Sequence, residues 1–424
     1  MKRWLVKEVS KEAGKTIMLK GWVHELRDLA KIKFILLRDS SGIIQCVVKD
    51  KKLFKEFAKL TLETVVQLEG KVRKAKIKSE QALKNVEVEV SKIKILNKAE
   101  KLPILVNEKT ITTGLSKRLD YRTLDIRKPK INAIFKIQST IAHAFREFFY
   151  NQGFTEIQTP GIISSASEGG TELFPLQYFE KKAYLAQSPQ LYKQLIAISL
   201  EKVFLTIPVW RAEKHNTTRH LNEVLQLDIE VAFADEFVVM KYLEEVVRYI
   251  VKKVLQENKK ELEILGIKLQ VPKAKYLTYK EAIKVLQRHN IKIKYGDDLE
   301  PEAEKKLCKI YKGIVFVYEW PQTLKPFYIW PKDKVSGGFD ALYEGIEIAS
   351  GGQRIHIPEI LIKQLKSKGL NPKDFKWYID AFRYGAPKHA GWSIGLERLT
   401  MAICKLDNIR EACLFPRDRE RITP

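Results

Sequence analysis

Charged and polar side chains that could take part in catalysis or ligand binding are concentrated in short segments after residue 160. In VWRAEKHNTTRHLNE (209–223), Arg211 and Glu213 are two positions apart, and Arg219 follows in a loop-like stretch. Residues spaced i and i+2 lie on one face of a strand, so both side chains can reach one ligand. Guanidinium groups bind phosphate oxygens, and a carboxylate accepts a hydrogen bond from an exocyclic amine. The segment therefore predicts a nucleotide site, with a surface ion-pair strip as the alternative.

Three further segments are rich in groups that are costly to bury. In the last of them, Asp340, Glu347 and Ser350 offer the hard oxygen ligands that Mg²⁺ takes when it also bridges phosphates. Acidic residues are common, so this pattern alone does not define a metal site. The segments are SSASEGGTELF (164–174), YLAQSPQLYKQ (184–194), and the pair FDALYEGIEIASGGQRIH (339–356) with HAGWSIGLERLTM (389–401).

The elements that must position these groups fall into two regions. Residues 16–96 contain β-branched runs separated by turn signals such as Asp39-Ser40-Ser41-Gly42, with one short helix (KLFKEFAKL) between them. This pattern predicts a small closed barrel, with the nucleic-acid-binding OB-fold as the leading candidate. The runs are TIMLKGWVHEL, KFILLRD, IIQCVVK, VVQLEGKV and VEVEVSKIKIL.

The pattern changes at about residue 126. INAIFKIQSTIAHAFREFFYNQGF predicts a long amphipathic helix that ends at Gly153, and FVVMKYLEEVVRYIVKKVL predicts another. The sequence has no regular βαβ rhythm, no GxGxxG and no GxxxxGK[ST], so Rossmann and P-loop folds find no support. We expect an α+β chain with an antiparallel sheet and helices to one side of it. Its parts are a barrel domain at 1–103, a connector at 104–125 and a second domain at 126–424.

The composition is that of a globular protein with an unusual charge. Its 424 residues are 45% hydrophobic and 30% charged, and 76 basic against 52 acidic residues give a net charge of +24. Residues 1–103 hold 25 Lys and Arg against 13 Asp and Glu, so half of the excess, +12, lies there. Such a field favours a polyanionic partner, although a lysine-rich thermophile surface is the alternative.

Targeting and redox features point to the cytoplasm. No apolar run approaches the ~18 residues of a membrane span, and the N-terminal segment has no signal-peptide core. The cysteines form no CxxC pair, which argues against zinc fingers and disulfide frameworks and fits a reducing compartment. They are Cys46, Cys308, Cys404 and Cys413.

Taken in order, these segments resemble the class II aminoacyl-tRNA synthetases, in particular the aspartyl-tRNA synthetases of the archaeal and eukaryotic type. GFTEIQTPGII (153–163) resembles motif 1, the dimer element, and 209–223 resembles motif 2. GWSIGLERL resembles motif 3, with Arg398. SEGGTELF, QSPQLYK, SGGQRIH and LFPRDRERITP resemble the aspartyl group. The resemblance spans essentially the whole chain and implies an OB-fold followed by an antiparallel-sheet catalytic domain.

The resemblance implies ATP-dependent activation of L-aspartate to aspartyl-adenylate, then transfer to the 3′ end of tRNA(Asp), with Mg²⁺ as cofactor. No side chain is needed as a nucleophile because the carboxylate of the substrate attacks phosphorus, so catalysis is positioning and charge neutralisation. Arg211 would hold the α-phosphate and the amino-acid carboxylate, and Arg398 with Arg219 would hold the γ-phosphate. The residues implied for ATP are Arg211, Glu213, Arg219, His220, Glu347 and Arg398.

The adenine contact departs from the family pattern. Glu213 would read the adenine amine, but Val224 stands where some relatives have a stacking aromatic residue, so His220 is expected to share that role. We expect His389, beside motif 3, to be a backbone-bonded structural histidine, with a loop residue near ATP as the alternative. The implied metal ligands are Asp340, Glu347 and Ser350.

For aspartate, the resemblance implies a pocket with two cations. Lys193 and Arg354 would bind the side-chain carboxylate, and Asp228 would orient Lys193. The glycine pair after Glu168 would let that loop close as a lid. The residues implied for the α-amino end are Glu168, Ser188 and Gln190.

The barrel carries candidate groups for reading an anticodon. Phe34 and Gln45 lie across the KFILLRDSSGIIQ hairpin, and an aromatic platform beside an amide can stack and read an unpaired base. Core packing is the alternative for Phe34. The residues that the resemblance assigns to the middle base are Arg27, Phe34, Gln45 and Glu87.

The third anticodon base separates tRNA(Asp) from tRNA(Asn), and His24 is the candidate that meets it. A small imidazole that can donate or accept should tolerate either base, so we expect the enzyme also to charge tRNA(Asn). An amidotransferase would then have to convert that product. The alternative is that His24 is a solvated strand residue and that specificity is set near Lys84.

Other functions remain open at this point. An asparaginyl-tRNA synthetase shares the fold and motifs, but an amide pocket would not need both Lys193 and Arg354. A non-charging, amide-forming paralogue would not need the anticodon-type barrel, and a plain OB-fold RNA-binding protein would not need the Arg211, Glu213 and Arg398 set. We expect a homodimer built on 153–163 and no membrane partner.

Overall fold

The computed structural model describes residues 2–108, 110–164 and 173–424. The chain divides into two compact units, Met1–Lys128 and Pro129–Pro424, so the predicted connector packs within the first unit. Among the described helices, none has the length and apolar character needed to cross a bilayer.

The first unit is built around a closed barrel. Strand β2 pairs with β5 along its first half and with β3 along its second half, which closes the ring β2-β3-β4-β6-β5. Parallel pairing occurs between β4 and β6 and between β1 and β2. The bounds are β1 (Arg3–Trp4), β2 (Thr16–Leu29), β3 (Ile32–Asp39), β4 (Gly42–Val48), β5 (Val65–Lys74) and β6 (Val86–Asn97).

Alternation along the strands fills the barrel interior. On β5, Val66, Leu68 and Val72 project inward and are fully buried, because successive strand residues face opposite sides. The predicted helix at 52–60 is shorter in the structure, a 3-10 turn at Lys51–Leu53 followed by α1 (Phe54–Phe57). The remaining helices of this unit are a 3-10 helix at Val6–Lys11, α2 (Leu115–Asp120) and α3 (Arg122–Asp125).

The second unit opens with α4 (Pro129–Asn151), the helix that the apolar periodicity predicts. It ends at Asn151, two residues before Gly153, whose φ of +73° is the left-handed conformation that commonly follows a helix. The other helices are α5 (Gln190–Leu200), α6 (Glu236–Glu257), α7 (Lys259–Leu265), α8 (Tyr279–Arg288), α9 (Pro301–Tyr311), α10 (Pro358–Ser367), α11 (Lys376–Arg383) and α12 (Leu396–Cys404), with 3-10 turns at Gln322–Leu324, Pro372–Phe375 and Ile409–Ala412.

The main sheet of this unit has the order β13-β14-β17-β18-β19-β12-β11-β7 within the described residues. Its inner strands are antiparallel, as predicted, whereas the outer pairs β13-β14 and β11-β7 are parallel. Its strands are β7 (Thr155–Glu156), β11 (Lys202–Trp210), β12 (Glu223–Ala232), β13 (Lys273–Thr278), β14 (Gly313–Tyr318), β17 (Gly338–Tyr343), β18 (Ile346–Gln353) and β19 (His389–Gly395). Small sheets are formed by β8 (Ile162–Ile163), β9 (Pro175–Tyr178) and β10 (Lys181–Leu185), and by β15 (Pro331–Lys332) and β16 (Val335–Ser336).

One face of the main sheet packs against α4 and α6. The rings of Phe145 and Phe149 contact Phe204 and Trp392, and the indole N–H of Trp392 donates to the carbonyl of Val239 at 2.8 Å. Ile229 on β12 is paired with both Phe204 and Trp392, and the residues that alternate with Ile229 and Trp392 on β12 and β19 project from the opposite face. That second face carries the polar side chains described next.

Candidate active site

A row of polar side chains crosses the open face of the main sheet. Asp340 on β17 is paired with Ser350 on β18, Ser350 with Ser393 on β19, and Ser393 with Asp228 on β12. Residues directly opposite one another project from the same face of a sheet. The register therefore brings a candidate metal ligand and a candidate aspartate-binding residue into one continuous surface, although they are far apart in sequence.

The neighbouring row is made of glycines and Glu230. Gly338, Gly352 and Gly391 are paired in register, and Gly391 is opposite Glu230. A Cβ at Gly391 would lie 2.2 Å from Oε2 of Glu230. These positions leave space in which a carboxylate and its partner can lie flat on the sheet.

A cleft on this face collects the residues predicted for ATP. Arg211 and Glu213 do not lie on a strand, because β11 ends at Trp210; they occupy the loop that follows, where their side chains approach to 3.9 Å. The amide of Asn222 donates to the carbonyls of Arg211 (2.7 Å) and Glu213 (2.9 Å) and so holds that loop. The predicted residues that line the cleft are Arg211, Glu213, Arg219, His220, Glu347, Ser350 and Arg398.

The cations of the cleft are individually held. Arg398 donates to the carbonyl of Glu347 at 3.2 Å and to its Oε2 at 3.3 Å. Arg219 donates to Glu304 at 2.6 Å and to the carbonyl of Gly345 at 2.9 Å. Burial and the nearby Arg398 lower the pKa of His220.

The predicted metal ligands are close enough to interact. Burial and the carboxylate of Asp340 raise the pKa of Glu347, while Arg398 and Lys325 oppose that shift. Lys325 donates to Asp340 at 2.6 Å and was not predicted from the sequence. Within the described ranges, no group of three or more His, Cys, Asp or Glu side chains is arranged to hold a metal ion.

The candidate aspartate-binding residues form a buried ionic cluster. Nζ of Lys193 donates to Asp228 at 2.8 Å and to the carbonyl of Trp392 at 3.1 Å. Arg354 donates to the carboxylate of Glu230 at 2.9 and 3.3 Å, and Lys193 lies 3.5 Å from it. Burial opposes ionisation of Glu230, but Arg354 and Lys193 outweigh it and hold the pKa below its ordinary value.

Glu230 is a residue that the sequence reasoning missed. The expected pocket had two cations for one substrate carboxylate, whereas each cation has a protein carboxylate as partner. The signal was present, because Glu230 is two positions after Asp228 on β12 and therefore shares its face. Glu168 lies outside the described residues.

Ser188 and Gln190 belong to a hydrogen-bond chain beside this cluster. Ser188 accepts from the backbone N–H of Gln190 at 3.0 Å, and the Gln190 amide donates to Gln194 at 2.9 Å. Gln194 in turn bonds Nε2 of His389 at 2.8 Å, and Nδ1 of His389 bonds the carbonyl of Pro387 at 2.9 Å. His389 is therefore the fully buried, backbone-bonded histidine that was expected, and burial lowers its pKa to about 4.

Several buried polar atoms on this face have no hydrogen-bond partner among the described residues. They include Nε of Arg211 and Oδ1 of Asp228. Most buried polar atoms in folded proteins are hydrogen-bonded, so a cluster of exceptions indicates a surface shaped for a polar ligand. The others that line the cleft are Oε1 of Gln226 and Oγ of Ser393.

In the first unit, the structure gathers Arg27, Phe34, Gln45 and Glu87 on the outside of the barrel. Arg27 is paired with Phe34 across β2 and β3, and the Gln45 amide donates to Glu87 at 2.7 Å. Phe34 is partly exposed and is not among the residues of the barrel interior, which argues against core packing.

His24 departs from the expectation. It is 1% exposed, so it is neither a solvated strand residue nor open to an incoming base as the side chains stand. His24 lies at a β-bulge between Val23 and Glu25, and it is buried by Arg38, which alternates on β3 with the interior residue Leu37, and by Gln81 in the connection between β5 and β6. Its ring bonds Arg38 at 2.9 Å and Gln81 at 3.1 Å, and burial with the Arg38 charge lowers its pKa.

This combination of barrel and antiparallel sheet defines the class of protein. Residues 114–419 match the family described as tRNA synthetases class II (D, K and N), and residues 17–96 match the OB-fold nucleic acid binding domain. The chain belongs to the class II tRNA synthetase family.

The proteins that this chain is similar to include aspartyl and asparaginyl members of the family. The aspartate–tRNA(Asp/Asn) ligase of Methanocaldococcus jannaschii is 44% identical over 422 residues, covering 97% of this chain and 95% of the relative. The aspartate–tRNA(Asp) ligase of Pyrococcus furiosus is 46% identical over 438 residues, covering 98% of each. The asparaginyl-tRNA synthetase of Pyrococcus horikoshii with bound asparaginyl-adenylate superposes with a TM-score of 0.94 at 36% identity, over 100% of both chains.

Proposed function

We propose that this chain activates L-aspartate with ATP and transfers it to the 3′ end of tRNA(Asp). The observation that carries the proposal is the buried pair of cations, Lys193 and Arg354, each less than 5% exposed and held in place by Asp228 and Glu230. Cations fixed by neighbouring carboxylates are pre-organised for a ligand carboxylate. A pocket for the amide of asparagine would gain little from two immobilised cations.

The cleft beside this pocket suits ATP. Arg211, Arg219 and Arg398 converge on it, and each can neutralise charge that develops on phosphate oxygens when the aspartate carboxylate attacks phosphorus. Glu213 lies at the cleft wall, where its carboxylate can accept from the adenine amine. Since the nucleophile belongs to the substrate, the protein contributes orientation and electrostatic stabilisation.

Asp340, Glu347 and Ser350 fit a magnesium ion held jointly with phosphates. Mg²⁺ commonly takes one or two protein carboxylates plus substrate oxygens, so a third acidic side chain is not required. The raised pKa of Glu347 beside Asp340 indicates carboxylates that a divalent cation would relieve. Bound there, Mg²⁺ would supply neutralisation of the phosphate charge; Asp340 and Glu347 would orient it.

For the anticodon, we propose the outer barrel surface of Arg27, Phe34, Gln45 and Glu87. We also propose that the enzyme charges tRNA(Asn). His24 is buried and presents no bulky group at the surface, so position 24 cannot reject either third base by steric conflict. The charged product, aspartyl-tRNA(Asn), would require an amidotransferase. We place this activity in the cytoplasm, which the buried thiols of Cys46, Cys308 and Cys404 suit.

The amino-acid specificity is tested by ATP–pyrophosphate exchange with aspartate and with asparagine. A site built around a specific charged group can reject an analogue lacking it by about 10⁴-fold, because its own charges are otherwise left unpaired. Exchange with aspartate and none above background with asparagine is expected. Comparable exchange with asparagine would point instead to an asparaginyl enzyme.

The tRNA specificity is tested by charging transcripts of tRNA(Asp) and tRNA(Asn) with aspartate. We expect catalytic efficiencies, kcat/KM, of the same order for both transcripts. A preference above about 100-fold for tRNA(Asp), roughly 2.7 kcal/mol, would contradict relaxed specificity.

A further inference from the structure

Arg219 is held by groups that lie outside its own loop. The loop between β11 and β12 has no regular secondary structure around this residue. The guanidinium donates through Nη1 to Oε2 of Glu304 at 2.6 Å and through Nη2 to the carbonyl of Gly345 at 2.9 Å. Glu304 lies in the first turns of α9, in the segment between β13 and β14, and Gly345 lies in the β17-β18 turn.

The ion pair of Arg219 and Glu304 carries a desolvation cost. The side chains of Arg219 and Glu304 are 16% and 11% exposed, so both charges are largely removed from water. Burial, then the nearby Glu347, raises the pKa of Glu304 to about 7, which means that the site disfavours a carboxylate there. A buried ion pair is weak grounds for stability, because desolvation offsets most of the attraction.

The geometry suits a supporting role toward phosphate. A guanidinium has five N–H donors, and two of its nitrogens are engaged here through one hydrogen bond each, which leaves donors for a ligand in the cleft that Arg219 lines. An arginine on an irregular loop would otherwise sample many rotamers, and fixing it in advance removes that entropy loss from binding. Glu304 itself, as an anion, would repel a phosphate if it acted directly.

We propose that Glu304 is a positioning residue for ATP, which acts by holding the Arg219 guanidinium at the cleft wall. The inference rests on the proposed function only in taking ATP as the ligand of the cleft, and it does not depend on which amino acid is activated. It also gives the segment between β13 and β14 a part in the reaction, since α9 supplies the carboxylate from outside the segments that resemble the synthetase motifs.

The test is a double-mutant cycle on the full-length enzyme, with ATP affinity measured by calorimetry and KM values by pyrophosphate exchange. Glu304→Ala is expected to raise the Kd and KM for ATP about tenfold, with the KM for aspartate changed less than twofold. Glu304→Gln, which keeps an acceptor oxygen, should recover part of the loss. Arg219→Ala with Glu304→Ala should be no worse than Arg219→Ala alone, because Glu304 acts through Arg219.

Glu302→Ala is the matched control, because Glu302 is an exposed carboxylate on the same helix. Additive losses in the cycle, or equal changes in the KM for ATP and for aspartate, would overturn the proposal. If Glu304→Ala does not fold, the same cycle run with Glu304→Gln decides the matter. An enzyme that binds ATP with this coupling but does not exchange with aspartate would refute the proposed function and leave the inference standing.

Discussion

On the open face of the sheet, the buried charged side chains form ion pairs, so that a change in one member alters the electrostatic environment of the other. Arg354 and Glu230 are 124 positions apart in sequence, yet they form a two-pronged ion pair at 2–3% exposure or less. Removing one member of such a pair leaves an uncompensated buried charge, which costs about 3–5 kcal/mol. An experiment on this cluster must therefore distinguish a loss of aspartate binding from a loss of folding stability.

Arg354 offers that separation. Arg354→Leu should abolish exchange with aspartate and also lower the free energy of unfolding, because Glu230 would lose its bidentate partner and retain, among the described residues, an ion pair with Lys193 at 3.5 Å. Adding Glu230→Gln removes the stranded charge, so the double variant should regain most of the stability without regaining activity. Denaturant unfolding and pyrophosphate exchange measure the two quantities; exchange within about tenfold of wild type in either variant would remove Arg354 from the aspartate site.

His389 makes the stability dependent on pH. Its pKa is lowered from an ordinary 6.5 to about 4, because burial disfavours the charged ring and outweighs the opposing effects of Glu230 and of the hydrogen bond to the carbonyl of Pro387. The unfolded chain therefore binds a proton below pH 6.5 while the folded chain does not, so stability contributed by this group is lost as pH falls from 6.5 to about 4.

The expected loss is about 3 kcal/mol over that range, at roughly 1.4 kcal/mol per pKa unit. His389→Gln should flatten this part of the profile of unfolding free energy against pH, whereas His143→Gln, an exposed position, should leave it unchanged. An unaltered slope in His389→Gln would show that other groups govern acid sensitivity.

At the scale of the elements, strand alternation sorts each barrel residue to the interior or to the surface. Phe34 and Gln45 face outward because β3 and β4 are regular along their pairing, whereas His24, at the bulge in β2, is covered by Arg38 and Gln81. Coverage by neighbouring side chains thus decides whether a residue of the barrel surface can contact RNA. The outward residues of β2, β3, β4 and β6 form the proposed anticodon surface.

Phe34→Ala tests that surface. Stacking on an aromatic ring contributes about 1–3 kcal/mol per base, so kcat/KM for tRNA should fall roughly 10-fold to 100-fold. Pyrophosphate exchange, which needs no tRNA, should be unchanged. Leu96→Ala, an exposed apolar position on β6, serves as the control and should alter neither rate. Equal charging by Phe34→Ala and the wild type would place the base elsewhere.

At the scale of the whole molecule, the net charge of +24 should strengthen the association with tRNA, which is a polyanion. Cation contacts to phosphates release counterions, so affinity falls steeply as salt rises. Raising KCl from 50 to 200 mM should lower kcat/KM for tRNA by about tenfold or more, while the KM for aspartate in exchange changes little. A flat salt response of charging would mean that the excess lysines do not contact tRNA.

Assembly is the other property of the whole chain. The segment 153–163 resembles a self-pairing element, and Ile162 within it is 46% exposed, so we expect a two-fold dimer. Light scattering at micromolar concentration should report twice the 49.2 kDa of one chain. Ile162→Asp should shift the population toward monomer, and Ile422→Asp, at an exposed C-terminal position, should not. A wild-type monomer would refute the dimer.

The features that the sequence by itself determined are those that depend on neighbouring positions along the chain. β-Branched runs bounded by turn residues located the barrel strands to within about three residues, and apolar periodicity with a terminal glycine located α4, whose last residue, Asn151, is two before Gly153. The order of the motif-like segments likewise predicted Arg211, Arg219 and Arg398 as ATP-binding residues. Each of these signals is carried by local geometry and chemistry, which a linear pattern records.

Only the tertiary structure decided which distant groups meet. The row from Asp340 to Asp228 exists because β17, β18, β19 and β12 are adjacent in one register. The Glu230–Arg354 and Glu304–Arg219 ion pairs join residues that are 124 and 85 positions apart in the sequence. A shift of one residue in register turns every side chain of a strand to the other face, so composition and spacing could not have specified these contacts.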